Sequence, residues 1–255
     1  MSNSNQHHVR NVIILTDIDD TLCHSVGKFR KYVGDEKALG DACVYDASGK
    51  PLSYRSRAQE TFLDWLSLAA TVIPITGRST ESFRHVELGF SSFAITCFGA
   101  TILHPDGTPD PVWLQHVTAQ SALALPALEA LHAVARSSSP SDRTKASIVS
   151  DNGLPLFLKV HDADHNQSRL DAVGDTLQEF LPRGWRMHAN EGQLCAYPAY
   201  LDKVNAARYF LDNLAGPHSI VVGCGDSLSD TSFISVCDFM VAPIQSQIFN
   251  SVKSE

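Results

Sequence analysis

The sequence predicts an α/β protein. A parallel sheet covered by helices on both faces is interrupted by an inserted α+β unit built on antiparallel hairpins. Three observations carry this reading. Short β-rich apolar runs alternate with helical-period segments at both ends of the chain, the pattern of a parallel sheet. In the middle, Asn-Gly and Glu-Gly turns join apolar runs directly, as hairpins do. The first apolar run, Val12 to Leu15, passes through Thr16 onto Asp17 and Asp19, and in open α/β sheets such strand ends are where ligands bind.

Taken in order, Val12–Asp17 reads as a central strand, with four apolar residues in a row as expected of a strand covered on both sides. Cys23–Tyr54 is long for a connection. Its pieces Cys43–Tyr45 and Leu52–Tyr54 around Asp46–Lys50 suit a small flap hairpin, and such loops act either as lids or as plain surface. Arg57–Ala69 follows as a helix, with Ser56 and Gln59 forming a capping box and Ala58, Phe62, Trp65, Leu66 and Ala69 on its core face. Thr71–Thr76 and Phe93–Cys97 are the next sheet strands.

The inserted unit is expected over 103–199, leaving 1–102 and 200–255 as the core. It opens with Trp113–Gln120, then a helix over Ala127–Arg136 with Pro126 in its first turn, then a Ser/Pro-rich loop at Ser137–Asp142. Ser147–Ser150 and Leu156–His161 flank Asp151-Asn152-Gly153 as one hairpin. A helix over Ser168–Leu181 aligns Leu170, Val173, Leu177 and Leu181. Trp185–Asn190 and Gln193–Pro198 form a second hairpin around Glu191-Gly192. The core then resumes with a helix over Lys203–Leu214, carrying Val204, Ala207, Leu211 and Leu214 inward and stopped by Gly216. Strands Ser219–Cys224 and Phe239–Pro243 complete it.

Composition narrows the function. At 255 residues and 44% hydrophobic, the chain has enough apolar surface for one large domain or two modest ones. A formal net charge of −8 argues against a nucleic-acid partner, which calls for a basic surface. It leaves a phosphate substrate open, because a bound metal offsets local carboxylates. Six scattered cysteines without a Cys-x-x-Cys pair suggest reduced thiols. The polar start Met1–His8 lacks the apolar stretch of a signal peptide, and no apolar run reaches the roughly 18 residues of a membrane span. A cytoplasmic protein, monomeric or homodimeric, is the expectation.

Four separated stretches carry residue types that phosphoryl transfer requires. Asp17-Ile18-Asp19-Asp20-Thr21 offers a carboxylate able to attack phosphorus and a second able to move protons. A calcium loop does not fit the same segment: Leu22 stands where the loop glycine belongs and Lys28 where the bidentate Glu belongs. Thr76-Gly77 ends the second strand with a hydroxyl and an unhindered amide for a phosphate oxygen, although taken singly an ordinary turn accounts for it better. Lys203, in the first turn of its helix, opposes the helix dipole, a penalty that a phosphate at the same place would reverse. Gly223-Cys224-Gly225-Asp226 with Asp230 supplies carboxylates suited to Mg²⁺. It is not a dinucleotide fingerprint, because Leu228 replaces the third glycine.

In this order, the four stretches resemble the motifs of the haloacid dehalogenase-like phosphohydrolase superfamily, over about 1–100 and 200–255. The resemblance implies a Rossmann-like core with Asp17 as nucleophile and Asp19 as general acid/base. It implies Thr76, Gly77 and Lys203 as phosphate-binding residues. Mg²⁺ would be held by Asp17, Asp226 and the backbone carbonyl of Asp19, with Asp230 in support. An insert between the second and third motifs is similar to the type IIB cap of sucrose-phosphatase-like and Cof-like members. The chain departs from many of those at Phe98-Gly99-Ala100, where they carry Asn-Gly-Ala, and at Ser229, where they often carry Asn.

Strand alternation places Leu156, Leu158 and Val160 toward the cap helices and Phe157, Lys159 and His161 away from them. Lys159, His188 and Asn190 are therefore candidate substrate contacts, and a plain solvated face of a half-buried sheet explains the same alternation. His7-His8 and His161/His165 read as non-metal residues. The expected function is a Mg²⁺-dependent phosphatase acting on a small phosphorylated metabolite, most simply a sugar phosphate. A phosphomutase of the phosphomannomutase-like type and a non-catalytic sugar-phosphate-binding module are the alternatives.

Overall fold

A computed structural model describes residues 11–33, 40–139, 142–190, 192–218 and 220–253. His7, His8, Pro140, Ser141, Glu191, Ser219 and part of the flap connection lie outside the described residues. The chain divides into two compact units, Met1–Pro109 with Lys203–Glu255, and Asp110–Asp202. The division falls beyond the 102/103 and 199/200 junctions expected. The strand Thr101–Leu103 pairs back onto Ala94–Thr96 in the first unit, and the second unit begins only where Asp110 caps a helix.

In the first unit, β1 (Val12–Thr16) leads through β2 (His24–Ser25) and α1 (Val26–Val33) to the hairpin β3 (Ala42–Tyr45) and β4 (Pro51–Tyr54). Then come α2 (Arg57–Ala69), β5 (Thr71–Pro74), α3 (Thr80–Phe83), β6 (Ala94–Thr96) and β7 (Thr101–Leu103). The second unit holds α4 (Pro111–Ser138), β8 (Thr144–Asp151), β9 (Leu154–Asp162), α5 (Gln167–Phe180), β10 (Arg186–Asn190) and β11 (Gln193–Tyr197). The first unit resumes with α6 (Lys203–Asn213), β12 (Ile220–Cys224), α7 (Thr231–Ile234), β13 (Phe239–Val241) and α8 (Gln247–Lys253).

The core sheet runs β13-β12-β1-β5, with every pairing parallel. A parallel bridge between Ile75 and Ile95 carries it on toward β6. One face packs Ile14 and Val72 against Leu63 and Leu66 of α2. Alternation turns Ile13 and Leu15 to the other face, and Phe210 of α6 lies 5.4 Å, between ring centroids, from Phe93, the residue before β6. The flap forms a three-stranded sheet, β2-β4-β3, whose turn is held by Asp46 accepting from the Ser48 and Lys50 amides at 2.8 and 3.0 Å.

Three helices differ from expectation in instructive ways. The Ser56–Gln59 capping box is present on α2, but the buried stripe is Leu63 and Leu66, with Trp65 61% exposed. A stripe of two leucines one turn apart is sufficient to dock the helix, and this turns the indole to solvent. The helix α4 does not start at Pro126. It starts behind Asp110, whose carboxylate accepts from the Trp113 amide at 2.8 Å, and Pro111 occupies its first turn. Pro126 is then internal. The helix continues through it because Trp113, Val117, Leu128, Leu131 and Ala135 form one buried stripe on both sides of the lost hydrogen bond. On α6 the buried set is Lys203, Ala206, Ala207 and Phe210. An apolar periodicity leaves a lysine out of the core stripe, so the expected face was set off from the true one.

The second unit is a sheet of order β10-β11-β9-β8 backed by α4 and α5. Asn152 and Gly153 both take positive φ (49° and 76°), as a two-residue hairpin turn requires. Leu158 and Val160 are buried against Leu128, Leu131, Leu170, Val173 and Leu177. All six cysteines are free thiols. Among the described residues, no helix is long and apolar enough to cross a membrane.

Leu158 is fully buried at the centre of the second unit's core. Leu158→Ala is expected to cost about 2–5 kcal/mol, read from urea unfolding followed by circular dichroism. A cost near zero would show that this core does not hold the unit.

Candidate active site

The ends of β1 and β12 are adjacent and in register, with Thr16 opposite Cys224. The Asp17 amide donates to the Cys224 carbonyl at 2.8 Å, extending the ladder by one bond and delivering Asp17 to the carboxyl edge of the sheet. Leu22 and Cys23 both donate their amides to the Ile18 carbonyl, which turns the chain sharply after the strand. Asp20 lies within that turn at φ 66°, its carboxylate taken by Lys28 and by His24 at 3.2 Å. Neither His24 nor Lys28 was a candidate from sequence. They enter because the short strand β2 and helix α1 fold back beside the turn.

Lys203 is the centre of the cluster. Its Nζ donates to Asp17 Oδ1 at 2.6 Å and to Asp230 Oδ1 at 2.7 Å, and it lies 5.5 Å from the centroid of the Phe233 ring. The second oxygen of Asp230 accepts from the Ser227 amide at 3.0 Å and the Ser227 hydroxyl at 2.8 Å. Gly225 makes this possible, because a Cβ there would stand 2.7 Å from Asp230 Cβ. Carboxylate oxygens of Asp17, Asp226 and Asp230 can all lie within 4.8 Å of one another. Asp230, expected only to support a metal, is thus a full member of the carboxylate group.

The electrostatics follow from burial. Desolvation pushes the Asp17 carboxyl well above the ordinary range, against the pull of Lys203. Burial raises Asp226 to about 7, helped by the Asp230 and Asp20 carboxylates. Burial acts on Asp230 in the same direction, but the Lys203 ammonium and the Ser227 hydrogen bonds outweigh it, and its carboxyl is lowered. Burial likewise acts to lower Lys203, yet Asp17 and Asp230 hold its ammonium above the usual lysine range. Three carboxylates against one ammonium leave the cluster acidic. Hard oxygen donors crowded this closely suit a small divalent cation such as Mg²⁺.

The second strand end contributes a tight loop. Thr76 is buried, its amide donates to the Ile95 carbonyl at 2.9 Å, and its hydroxyl accepts from the Arg78 amide at 3.2 Å. Gly77 lies beneath the Phe98 ring, where a Cβ would come within 2.7 Å of the ring carbons. Phe98 itself is left-handed at φ 54°, so the departure from Asn-Gly-Ala places an aromatic ring over the glycine. The Asp19 carboxylate is gripped by Arg78 at 2.8 and 2.6 Å. Arg78 follows Thr76-Gly77 directly in sequence, which was the available signal for it.

In the second unit, register places Ser147, Lys159, Cys195 and His188 in one row across the four strands. The next row on that face is Lys145, His161, Gln193 and Asn190. Lys159 and His188 therefore share the face opposite Leu158 and Val160, and the Asn190 backbone pairs with Gln193. The His161 and His165 rings meet edge-on at 6.0 Å, and His161 Nδ1 bonds the Gly192 carbonyl at 3.1 Å.

No family model matches the chain, and no curated protein matches it. Solved structures do. The chain is similar to the sucrose-phosphatase of Synechocystis sp. PCC6803, solved with sucrose and phosphate, at 17% identity and TM-score 0.55 over 96% of each chain. It is similar to the C-terminal domain of Candida albicans trehalose-6-phosphate phosphatase, at 13% identity and TM-score 0.58, covering 89% of this chain and 73% of that one. A haloacid dehalogenase-like hydrolase from Bacteroides thetaiotaomicron matches at 11% identity and TM-score 0.52, over 96% and 99%. At such identities the likeness is one of fold, and the chain has the fold of haloacid dehalogenase-like phosphatases.

The Asp226 carboxyl is protonated in the folded protein up to about pH 7 and in the unfolded chain only to about pH 4. Its raised value means that folding stability falls as pH climbs through that window. In metal-free protein, Asp226→Asn is therefore expected to add on the order of 1–3 kcal/mol above about pH 7, with the gain shrinking toward about pH 4. Urea unfolding across that pH range checks it. Unchanged stability throughout would show that the carboxylate is not strained by burial.

Proposed function

We propose that the chain is a Mg²⁺-dependent phosphatase that hydrolyses a small phosphomonoester, a sugar phosphate being the best fit. The observation that carries this reading is the ammonium of Lys203 held between Asp17 and Asp230 at the end of a parallel sheet, with Asp226 alongside. A protein that only binds sugar phosphate has no use for a buried nucleophile paired to a lysine, nor for a second acid two residues on.

In this reading, Asp17 attacks phosphorus in line and takes the phosphoryl group as an aspartyl-phosphate. Asp19 gives a proton to the departing alcohol oxygen and later removes one from the attacking water. Lys203 holds an oxygen of the transferring group through the charge it now shares between carboxylates, and the Thr76 hydroxyl and Gly77 amide hold others. Mg²⁺ would be held by Asp17, Asp226 and the Asp19 carbonyl, with Asp230 beside them, and would supply the positive charge that lets a phosphate approach this acidic cluster. Lys159, His188 and Asn190 are proposed to contact the hydroxyl groups of the substrate. The structural neighbours include a sucrose-phosphatase and a trehalose-6-phosphate phosphatase, which favours a sugar phosphate.

A screen of sugar phosphates, nucleotides and aryl phosphates for release of inorganic phosphate tests the reading. Phosphate is expected at the turnover rate, with loss to background on adding a chelator and recovery on adding Mg²⁺. Asp17→Asn is expected to lower kcat by at least about 10³-fold, since it removes the nucleophile itself. Isomerised substrate without free phosphate would instead mark a phosphomutase. Alanine at Lys159, His188 and Asn190 together is expected to raise KM for the preferred sugar phosphate by about tenfold or more while leaving aryl phosphate turnover unchanged. An unaltered substrate preference would remove those three residues from the site.

A further inference from the structure

Arg78 is a firmly held cation beside Asp19 that the phosphatase reading leaves without a role. Its guanidinium donates Nε–H to Asp19 Oδ2 at 2.8 Å and Nη2–H to Asp19 Oδ1 at 2.6 Å. A third donor, Nη1, reaches the Ser82 hydroxyl at 3.3 Å. Its backbone is equally committed: the amide donates to Thr76 Oγ1 at 3.2 Å, and the carbonyl accepts from the Cys97 amide at 2.7 Å. Arg78 is thus fixed at its backbone by Thr76 and Cys97 and at its guanidinium by Asp19 and by Ser82 of α3.

Asp19 is in the opposite situation. Asp17 is pinned by the sheet and by Lys203, but Asp19 stands on the turn after β1 with its side chain 40% exposed. A carboxylate so placed has several staggered rotamers open to it. Two parallel N–H donors on its two oxygens select one of them. A planar fork does this and an ammonium does not.

We propose that Arg78 is the positioning residue for Asp19, carrying the rigidity of the second strand's loop to the proton-carrying carboxylate. The proposal rests on the reading of Asp19 as acid and base. It differs from a phosphate-binding role because the two donors that form the guanidinium's parallel fork are engaged by the two Asp19 oxygens.

The test compares kcat/KM, which reports steps up to phosphorylation of Asp17, for an alkyl phosphate and an aryl phosphate. The alkoxide needs a proton to leave and the aryl oxide does not. Arg78→Ala is expected to cut kcat/KM about 10–100-fold for the alkyl ester and far less for the aryl ester, with inhibition by inorganic phosphate changed by less than about threefold. Arg78→Lys is expected to recover only part of the loss. In an Asp19→Asn background, Arg78→Ala is expected to add nothing further. An equal loss on both esters, weaker phosphate inhibition and an additive effect in that background would make Arg78 a direct phosphate ligand and overturn the proposal. The fork can also be read without turnover, from the Arg78 Nε–H resonance, which should shift in Asp19→Asn. No shift would overturn the proposal in a protein of any activity. By contrast, no phosphate release from any ester in the screen would overturn the phosphatase reading and leave that resonance as it is.

Discussion

The buried ammonium of Lys203 organises the first unit's chemistry. It joins Asp17, on the first strand's extension, to Asp230, which is recruited by the turn after β12. Burying such a triad is not an efficient way to stabilise a fold, since desolvating each charge costs several kcal/mol and apolar residues of equal volume often do as well. Its geometry is better understood as preparation for a ligand. The lysine holds two carboxylates in fixed positions, while a third, Asp226, stands beside them and is raised by burial. The arrangement carries more carboxylates than its own lysine balances, which is the observation behind the proposed Mg²⁺.

Backbone geometry makes that cluster reachable. Parallel pairing of β1 with β12 in register brings their carboxyl ends level, and the Asp17 amide continues the ladder to the Cys224 carbonyl. Gly225 then removes the Cβ that would keep Asp230 away. On the other flank, Gly77 gives its space to the Phe98 ring. Two glycines thus serve close approach rather than an unusual backbone angle, and each couples a strand end to a side chain from a different part of the chain.

The second unit follows a different logic. Its sheet has an apolar side sealed by α4 and α5, and a side on which polar residues fall in register rows. The rows are a consequence of antiparallel pairing: each strand contributes one side chain per row, so Lys159 and His188 become neighbours across Cys195 although they are distant in sequence. The loop leaving β9 is braced by Asp162, which is buried and accepts from Arg169, Thr144 and the Asp164 and Asn166 amides. These polar contacts brace the sheet's end beside the core residues Val160 and Leu170.

Alternation and turn chemistry are local, and what depends on them was legible in the sequence. The parallel strands, the Asn152-Gly153 hairpin, the Ser56–Gln59 cap and the apolar side of β9 all follow from neighbours a few residues apart. So does the placement of Asp17 and Asp226 at strand ends. Helix faces were less legible, because a stripe is chosen by what the helix meets. Trp65 was turned out by docking through Leu63 and Leu66, and Lys203 was drawn into a stripe that periodicity assigns to apolar residues. The start of α4 was hidden because Pro126 reads as a beginning until its packing partners are known. Which charges pair was decided by tertiary structure alone: Arg78 with Asp19, Lys28 and His24 with Asp20, and Lys203 between two acids. Arg78 and Asp19 lie 59 positions apart and Lys203 and Asp17 lie 186 apart, so no local spacing encodes these pairs.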